Sequence, residues 1–486
     1  MEKEIYLIAP PAHQYELGAL IREVWPLCKI YDQPAAGLRG IVVSPEKGSV
    51  SLLAADGTTE RVMAMEEPEE GAAPLSQKNS EKKAVLDLLQ ASLPWGILTG
   101  VRPSKVAYTY LEAGLSEEET EAAMRRQYRL RSDKARLCTR VAAEERALLA
   151  DHTGRDISLY VGIPFCPSRC SYCSFISHDQ RAYQKWGDAY LEALIREMEQ
   201  SQGLLEGHRL QSFYMGGGTP TTLSASELQR VLLAADRMCH FETLKEVTVE
   251  AGRPDTITRE KLKMLKDMGV TRISINPQSM NQSTLDTIGR RHSVEEIETA
   301  FAMARQAGFT NINMDFIVGL PGETLSDVRH SMDRVMAMKP DNLTVHTLAI
   351  KRSSRMNEEG SGKMVLEKAL REAKTLDAML TLTMETAQTL GMHPYYMYRQ
   401  KNMAGNFENI GYSLPGHEGL YNIEIMEERQ NILAFGAGGV SKVYDPERNR
   451  LERVPNVKSV DEYIRRIDEM IERKRKGAQA VWKSKS

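Results

Sequence analysis

Two hydrophobic periods alternate along the middle of the chain. Short runs rich in β-branched residues predict buried strands, and longer segments with apolar residues every three or four positions predict amphipathic helices. The predicted strands are residues 158–163, 212–215, 246–250, 272–276, 311–317 and 342–348, and the predicted helices centre on Leu191, Leu232, Leu262, Ile297 and Val335. Six such alternations imply an α/β fold with a parallel sheet, whose functional residues lie at the carboxyl ends of the strands.

The segments that flank this block have other patterns. Residues 1–65 combine short β-like runs with one helical stretch, which predicts a small α/β domain. Residues 66–79 begin with an acidic sequence rich in proline and glycine and are expected to form a linker. Residues 80–150 have a helical period. We therefore expect a helical extension, a βα core at 151–350, and a C-terminal region of helices and β-structure at 351–486.

The charge balance and the absence of targeting signals disfavour nucleic-acid-binding, secreted and membrane-spanning classes of protein. The net charge is −3, and charges of both signs are interspersed, so nucleic acid is not expected as a partner. The first residues lack the basic and apolar regions of a signal peptide, and no apolar run is long enough to span a membrane. We expect a cytoplasmic protein without a membrane partner.

Three of the six cysteines lie within eight positions, at Cys166, Cys170 and Cys173. Their C-x3-C-x2-C spacing could place three small side chains on one helical face, but Pro167 disfavours a regular helix there. A disulfide framework would leave one thiol over, and structural zinc usually takes four protein ligands. The pattern favours an iron–sulfur cluster bound by three thiolates, with one iron left open, over zinc or simple packing.

With Tyr172 directly before the third cysteine, this motif resembles the signature of radical S-adenosylmethionine (SAM) enzymes. The preceding Y-x-x-I-P-F-C, from Tyr160 to Cys166, resembles the oxygen-independent coproporphyrinogen III oxidase (coproporphyrinogen dehydrogenase) family, in its long form with an N-terminal extension. The resemblance implies a 4Fe–4S cluster on the three cysteines and SAM as second cofactor. It also implies an open (βα)6 partial TIM barrel between an N-terminal α/β plus helical extension and a C-terminal α+β region.

Residues that follow the predicted strands are the candidate cofactor contacts. Taken singly, a glycine turn or a polar residue at a strand end is more often structural, but these recur on successive strands. The resemblance implies that SAM is bound by Tyr160, Tyr172, Gly217, Gly218, Thr219, Glu250, Gln278, Arg290, Asp315 and Ala349. It implies no catalytic residue beyond the radical formed from the bound cofactor.

Basic residues near the barrel mouth are candidates for binding the substrate. A tetrapyrrole with four carboxylates needs cations, and Lys351, Arg352 and Arg355 follow the sixth strand, while Arg399 lies among tyrosines. Solvated surface charge is an equally weighted explanation for each of them.

The reaction implied by the resemblance is the oxidative decarboxylation of two propionates of coproporphyrinogen III to vinyl groups, giving protoporphyrinogen IX in anaerobic haem biosynthesis. A radical SAM oxidoreductase of this kind needs a one-electron donor such as flavodoxin or ferredoxin. The chain departs from the characterised oxidases at Gly162, where they have histidine, and at Phe175, where they have a fourth cysteine. The second departure also occurs in relatives that carry or deliver haem.

Two alternatives therefore stay open. One is a haem chaperone or other haem-handling protein with a 4Fe–4S cluster, with His346, His393 or His417 as an axial ligand. The other is radical methylation and ring opening of haem.

Overall fold

A computed structural model describes residues 4–26, 28–66, 77–175, 177–349, 354–358, 364, 372–400, 407–445, 447–448 and 450–482. The described residues form two compact units. The first takes those of Met1–Ala143, Glu367–Glu372 and Tyr398–Glu408, and the second those of Glu144–Leu366, Ala373–Met397 and Asn409–Ser486. Within the described ranges, no helix is long and apolar enough to cross a membrane.

The first unit contains a five-stranded mixed sheet and helices. Its elements are β1 (Glu4–Ile8), α1 (Pro11–Val24), β2 (Lys29–Tyr31), β3 (Arg39–Ser44), β4 (Ser49–Leu53), β5 (Thr59–Ala64), α2 (Gln77–Leu88), α3 (Ser104–Glu112), α4 (Glu117–Tyr128) and most of α5 (Ser132–Leu148). The residues of α5 from Glu144 onward belong to the second unit. The strand order is β2-β1-β3-β4-β5, with β1 parallel to both neighbours and the last three strands antiparallel. Apolar side chains of β1, α1 and α2, among them Leu7, Leu20 and Val85, share one buried core.

The second unit is built on six parallel strands in chain order. They are β6 (Asp156–Ile163), β7 (Arg209–Gly217), β8 (Glu246–Glu250), β9 (Arg272–Ser274), β10 (Ile312–Val318) and β11 (Asn342–Thr347). The helices between them are α6 (Gln180–Ser201), α7 (Ala225–Cys239), α8 (Arg259–Asp267), α9 (Gln282–Thr287), α10 (Val294–Gln306) and α11 (Leu325–Met338). The predicted βα alternation is confirmed, and so is the open barrel, because β6 and β11 pair with other strands rather than with each other.

The C-terminal region extends this sheet at both edges to eleven strands. Its elements are α12 (Arg355–Glu358), α13 (Ala373–Thr389), β12 (His393–Tyr398), β13 (Asn409–Ser413), α14 (Leu420–Glu427), β14 (Asn431–Phe435), β15 (Val440–Asp445), β16 (Arg450–Pro455), α15 (Val460–Arg465) and α16 (Ile467–Trp482). The strand β13 is antiparallel to β11, and β14 is parallel to β6. The barrel core is thus flanked by strands whose partners are distant in sequence.

A buried ionic cluster fixes the turn after β14 next to β6. The Glu197 carboxylate of α6 accepts from Lys474 Nζ at 2.5 Å, from the Tyr463 hydroxyl at 2.5 Å and from the Gly436 backbone N–H at 2.9 Å. Buried charges are stable only when paired and hydrogen-bonded, and here each carboxylate oxygen has partners. This cluster holds the edge of the barrel that carries the cysteine loop.

Candidate functional site

The cysteine loop, residues 164–175, follows the carboxyl end of β6 and contains no helix. Backbone hydrogen bonds hold it from two sides. Cys166 N–H donates to the His178 carbonyl at 2.9 Å, and Ser171 N–H donates to the Ile288 carbonyl at 3.0 Å. The loop is therefore anchored both to the start of α6 and to the end of α9, which agrees with the helix-breaking effect of its proline.

The glycine turn, residues 216–219, packs directly against this loop. A Cβ at Gly218 would lie 2.6 Å from the Phe165 carbonyl oxygen and 3.0 Å from Cys166 Sγ. The Thr219 hydroxyl lies 3.5 Å from the same sulfur. Only glycine allows this approach of backbone to thiol, so the predicted Gly218 and Thr219 are brought to the first cysteine.

Arg253 lies beside the second cysteine and was not predicted from the sequence. It is 3% exposed, its Nη1 lies 3.9 Å from Cys170 Sγ, and Asp255 accepts from it at 2.9 and 3.0 Å. Cys170 is buried, and Cys166 and Cys173 are partly exposed. The position of Arg253 just after β8 is the signal that strand-end reasoning could have used.

The carboxylates of Glu250 and Asp315 have different environments. Burial raises the pKa of Glu250 to about 7, although the Tyr214 hydroxyl donates to its Oε1 at 2.5 Å. Burial also acts on Asp315, but His346 at 3.9 Å and the Asn313 amide at 2.7 Å keep the pKa of Asp315 below its ordinary value. The charge of Asp315 also raises the pKa of Glu250, and the two carboxylates offer hydrogen-bond acceptors on β8 and β10.

A stack of tyrosine rings lies beside these carboxylates. The ring centroids of Tyr160 and Tyr214 are 6.3 Å apart, and those of Tyr214 and Tyr421 are 4.6 Å apart, both pairs near-parallel. Gly217 has φ +108°, and a Cβ there would lie 3.4 Å from the Tyr160 hydroxyl. The stack brings the predicted Tyr160 to the glycine turn, whereas Tyr214 and Tyr421 were not predicted.

Two further predicted cofactor contacts follow the ends of β9 and β11. Gln278 is buried, and its backbone N–H donates to the Asp315 carbonyl at 2.9 Å while its carbonyl accepts from Ile317 N–H at 3.0 Å. These bonds hold Gln278 at φ +71°, an uncommon conformation for a residue with a side chain. Ala349 is partly exposed, two residues beyond β11.

Arg290 is buried beside the aromatic residue of the cysteine motif. Its Nη1 donates to the Asn276 carbonyl at 2.6 Å, and its Nη2 donates to the Tyr172 hydroxyl at 3.2 Å. Burial raises the pKa of Tyr172, so the phenol stays neutral. The neighbouring Arg291 is exposed, which makes Arg290 the inward-facing member of the pair.

Of the three predicted substrate cations that follow β11, the structure describes Arg355, which lies next to the cysteine loop. Arg355 is exposed at the start of α12, and the next residue, Met356, donates its N–H to the Ser171 carbonyl at 3.0 Å. Lys351 and Arg352 lie outside the described residues. The turn that carries Arg355 is therefore attached to the cysteine loop itself.

Arg399, the fourth predicted substrate cation, lies in the first unit. It is buried, it donates to Glu23 Oε1 at 3.2 Å and to the Leu98 carbonyl, and its guanidinium lies 5.5 Å from the centre of the Trp95 ring. These contacts engage the Arg399 guanidinium within the first unit rather than at the cysteine loop.

Comparison with known proteins gives the family. The sequence model of the radical SAM superfamily matches residues 160–335. The chain is 39% identical over 416 residues to the oxygen-independent coproporphyrinogen-III oxidase-like protein HemZ of Bacillus subtilis, covering 83% of this chain and 82% of that protein. It is 31% identical over 283 residues to the heme chaperone HemW of the same organism, covering 58% of this chain and 69% of HemW.

The solved structure of coproporphyrinogen III oxidase (HemN) from Escherichia coli has the same fold. It superposes with a TM-score of 0.53 at 22% identity, over 67% of this chain and 72% of HemN. The chain belongs to the oxygen-independent coproporphyrinogen III oxidase-like family of the radical SAM superfamily.

Proposed function

We propose that this protein is a radical SAM enzyme that acts on a tetrapyrrole, and that it oxidatively decarboxylates two propionates of coproporphyrinogen III to vinyl groups. The observation that carries the proposal is the meeting of three features at one edge of the barrel. A three-cysteine loop follows β6, a glycine turn lies at the end of β7, and the carboxylates of Glu250 and Asp315 lie on β8 and β10. The chain combines them with similarity to HemZ over most of its length.

Cys166, Cys170 and Cys173 are proposed to bind a 4Fe–4S cluster. Three thiols suit a cluster with one open iron, and the absence of a Cβ at Gly218 lets the glycine turn pack close to Cys166 Sγ. Burial raises the pKa of Cys173 to about 11, so iron binding has to displace its proton. Arg253 supplies a positive charge next to Cys170, which offsets part of the negative charge of a bound cluster and its thiolates.

SAM is proposed to bind along the glycine turn and the strand ends. Gly217 and Gly218 are partly exposed and have no side chain to keep a ligand away. Glu250 and Asp315 can accept hydrogen bonds from the ribose hydroxyls. Asn276 Oδ1, on the loop after β9, is buried and has no hydrogen-bond partner in the part of the chain that is described. An unpartnered buried acceptor is costly, so a ligand donor at this position would satisfy it.

When bound, the cluster and SAM together supply a 5′-deoxyadenosyl radical that can remove a hydrogen atom from the substrate. The chain itself supplies positioning and exclusion of water. The stacked rings of Tyr160, Tyr214 and Tyr421 form an apolar wall beside Glu250. Such a wall keeps the reacting carbon close to the radical and away from other hydrogen donors.

The substrate carboxylates are proposed to bind on the α12 side of the cysteine loop. Arg355 is exposed on a turn that is hydrogen-bonded to Ser171, within the loop. Lys351 and Arg352 precede this turn in the sequence. Arginine suits a propionate because its planar fork can make two parallel hydrogen bonds.

Product analysis tests this proposal. The reconstituted protein is incubated anaerobically with a one-electron reductant, SAM and coproporphyrinogen III, and the tetrapyrrole is followed by mass spectrometry. We expect the loss of two carboxyl groups in wild type and in Cys239→Ala, which removes a buried thiol of α7, but no loss in Cys170→Ala. An unchanged tetrapyrrole in all three proteins would contradict the proposal.

Haem handling is a second candidate, supported by the similarity to HemW. Phe175, which replaces the fourth cysteine of the characterised oxidases, is 67% exposed on the cysteine loop. A large exposed apolar side chain is suited to contact a planar apolar ligand such as haem. Stoichiometric haem binding that is weakened by Phe175→Ser, without decarboxylation of coproporphyrinogen III, would favour this candidate.

A further inference from the structure

Three potential metal ligands of the second unit meet away from the cysteine loop, and each comes from a different segment of the chain. Glu144 lies near the end of α5, His393 opens β12, and Glu418 lies in the loop between β13 and α14. His393 Nε2 is 3.3 Å from Glu144 Oε1 and 3.2 Å from Glu418 Oε1. The three ligand atoms all lie within 4.8 Å of one another.

This cluster lies at the opposite end of the sheet from the cysteine loop. Because β13 is antiparallel to β11, its last residue, Ser413, is paired with Asn342, the first residue of β11. The loop that carries Glu418 continues from there, and Leu414 N–H donates to the Asp341 carbonyl at 3.0 Å. Glu418 thus lies at the amino ends of the parallel strands, whereas the cysteines follow a carboxyl end.

The contacts of His393 do not have the geometry of hydrogen bonds. Its Nε2 is buried and, among the residues described, has no hydrogen-bond partner, although two carboxylate oxygens are within 3.3 Å. Neither oxygen therefore lies close to the direction of the N–H bond.

Metal coordination accounts for both the distances and the directions. If nitrogen and oxygen ligands lie about 2.1 Å from a cation, neighbouring ligand atoms are about 3.0 Å apart in an octahedral site and about 3.4 Å apart in a tetrahedral one. The observed separations of 3.2 and 3.3 Å fall in this interval. In such a site each oxygen lies well off the line from the nitrogen to the metal, as it does around His393.

We propose that Glu144, His393 and Glu418 bind one divalent transition-metal cation of the Mn²⁺ to Zn²⁺ series. One imidazole and two carboxylates are the mixed nitrogen and oxygen donors that these ions accept, and the two carboxylates balance the charge of the ion. The Gly416 N–H donates to Glu418 Oε1 at 3.0 Å and orients that ligand. The bound ion joins α5, β12 and the β13–α14 loop, and its role is structural because it lies far along the strands from the cysteines.

Manganese is the probe of choice in the full-length protein with its iron–sulfur cluster. Mn²⁺ prefers carboxylate and imidazole to thiolate, so it competes poorly for the cluster cysteines. Binding is measured by electron paramagnetic resonance with the cluster in its oxidised, diamagnetic state. We expect one Mn²⁺ per chain, at least tenfold weaker binding in His393→Gln and in Glu418→Gln, and wild-type binding in His330→Gln, which changes an exposed histidine of α11.

A second measurement uses the wild-type protein alone and so does not depend on the folding of a variant. Pulsed resonance of the Mn²⁺ bound to the wild-type protein should show coupling to one imidazole ¹⁴N nucleus. Bound Mn²⁺ without this coupling would overturn the proposal, and so would equal Mn²⁺ binding by wild type and a folded His393→Gln. The two carboxylates raise the pKa of His393 to about 9 and stabilise its imidazolium form. If Glu144, His393 and Glu418 hold this proton instead of a metal ion, the wild-type protein will bind no Mn²⁺, which would also overturn the proposal.

Discussion

Replacing Gly218 by alanine tests whether the close approach between the glycine turn and the cysteine loop is required. The added Cβ would lie 2.6 Å from the Phe165 carbonyl oxygen, 2.9 Å from the Ile163 carbonyl oxygen and 3.0 Å from Cys166 Sγ. Both oxygens belong to the backbone and both accept hydrogen bonds of 2.8 Å from the turn, from Gly218 and Thr219. The loop therefore cannot move away without losing these bonds.

The size of the expected loss in SAM affinity follows from the short contacts of the added Cβ. Restoring ordinary contact requires a movement of about 0.5 to 0.8 Å, and overpacking of this kind costs about 1–3 kcal/mol. At about 1.4 kcal/mol per tenfold change in an equilibrium constant, the affinity for SAM should fall by about 5- to 150-fold. The same displacement at Cys166 should lower the content of iron and sulfide after anaerobic reconstitution.

The matched control is Gly203→Ala in the same unit. A Cβ at Gly203 would have Glu206 Oε1 at 4.0 Å as its nearest neighbour, so the added methyl group meets no obstacle. We expect wild-type iron content and SAM affinity for this variant, with affinity measured by calorimetry. Full iron content together with wild-type SAM affinity in Gly218→Ala would refute the reasoning.

Three further predictions concern buried charged groups. Burial raises the pKa of Glu250 to about 7, and only the ionised carboxylate is a full hydrogen-bond acceptor for the ribose. The affinity for SAM should therefore rise with pH up to about 7 and then level off. In a binding titration, Glu250→Gln should abolish this pH dependence. Arg253→Gln should lower the reduction potential of the cluster by roughly 50–100 mV in a redox titration, since it removes a positive charge beside Cys170; an unchanged potential would exclude that contact. Arg399→Gln should lower the free energy of unfolding by about 3–5 kcal/mol, because it removes the guanidinium that offsets the burial of the Glu23 carboxylate. An unchanged free energy of unfolding together with weakened tetrapyrrole binding would instead indicate that Arg399 binds the substrate.

The sequence predicts the barrel well because its signals are local. A buried strand and the amphipathic helix that follows it leave their periods in neighbouring residues, and β8 was predicted with its exact bounds, 246–250. The flanking strands were expected only as β-like and loop-rich structure. The pairing of β14 with β6 joins Asn431 to Ile157, and a contact so distant in sequence leaves no local pattern.

The candidate site was predicted where a motif exists and missed where side chains converge from afar. The sequence indicates Cys170 by its spacing, but no motif indicates Arg253, and its approach to the sulfur depends on the packing of β8 against β7. His393 was considered only as a haem ligand. Its two carboxylate neighbours come from residues 144 and 418, which no spacing rule connects.

Transfer of deuterium tests the central claim most directly. Formation of a vinyl group requires loss of hydrogen from the propionate carbon next to the ring, so coproporphyrinogen III is deuterated at that carbon and incubated anaerobically with the reduced protein and SAM. The proposed function predicts one molecule of singly deuterated 5′-deoxyadenosine for each carboxyl group that is lost. Unlabelled 5′-deoxyadenosine with an intact tetrapyrrole, or no 5′-deoxyadenosine at all, would contradict it.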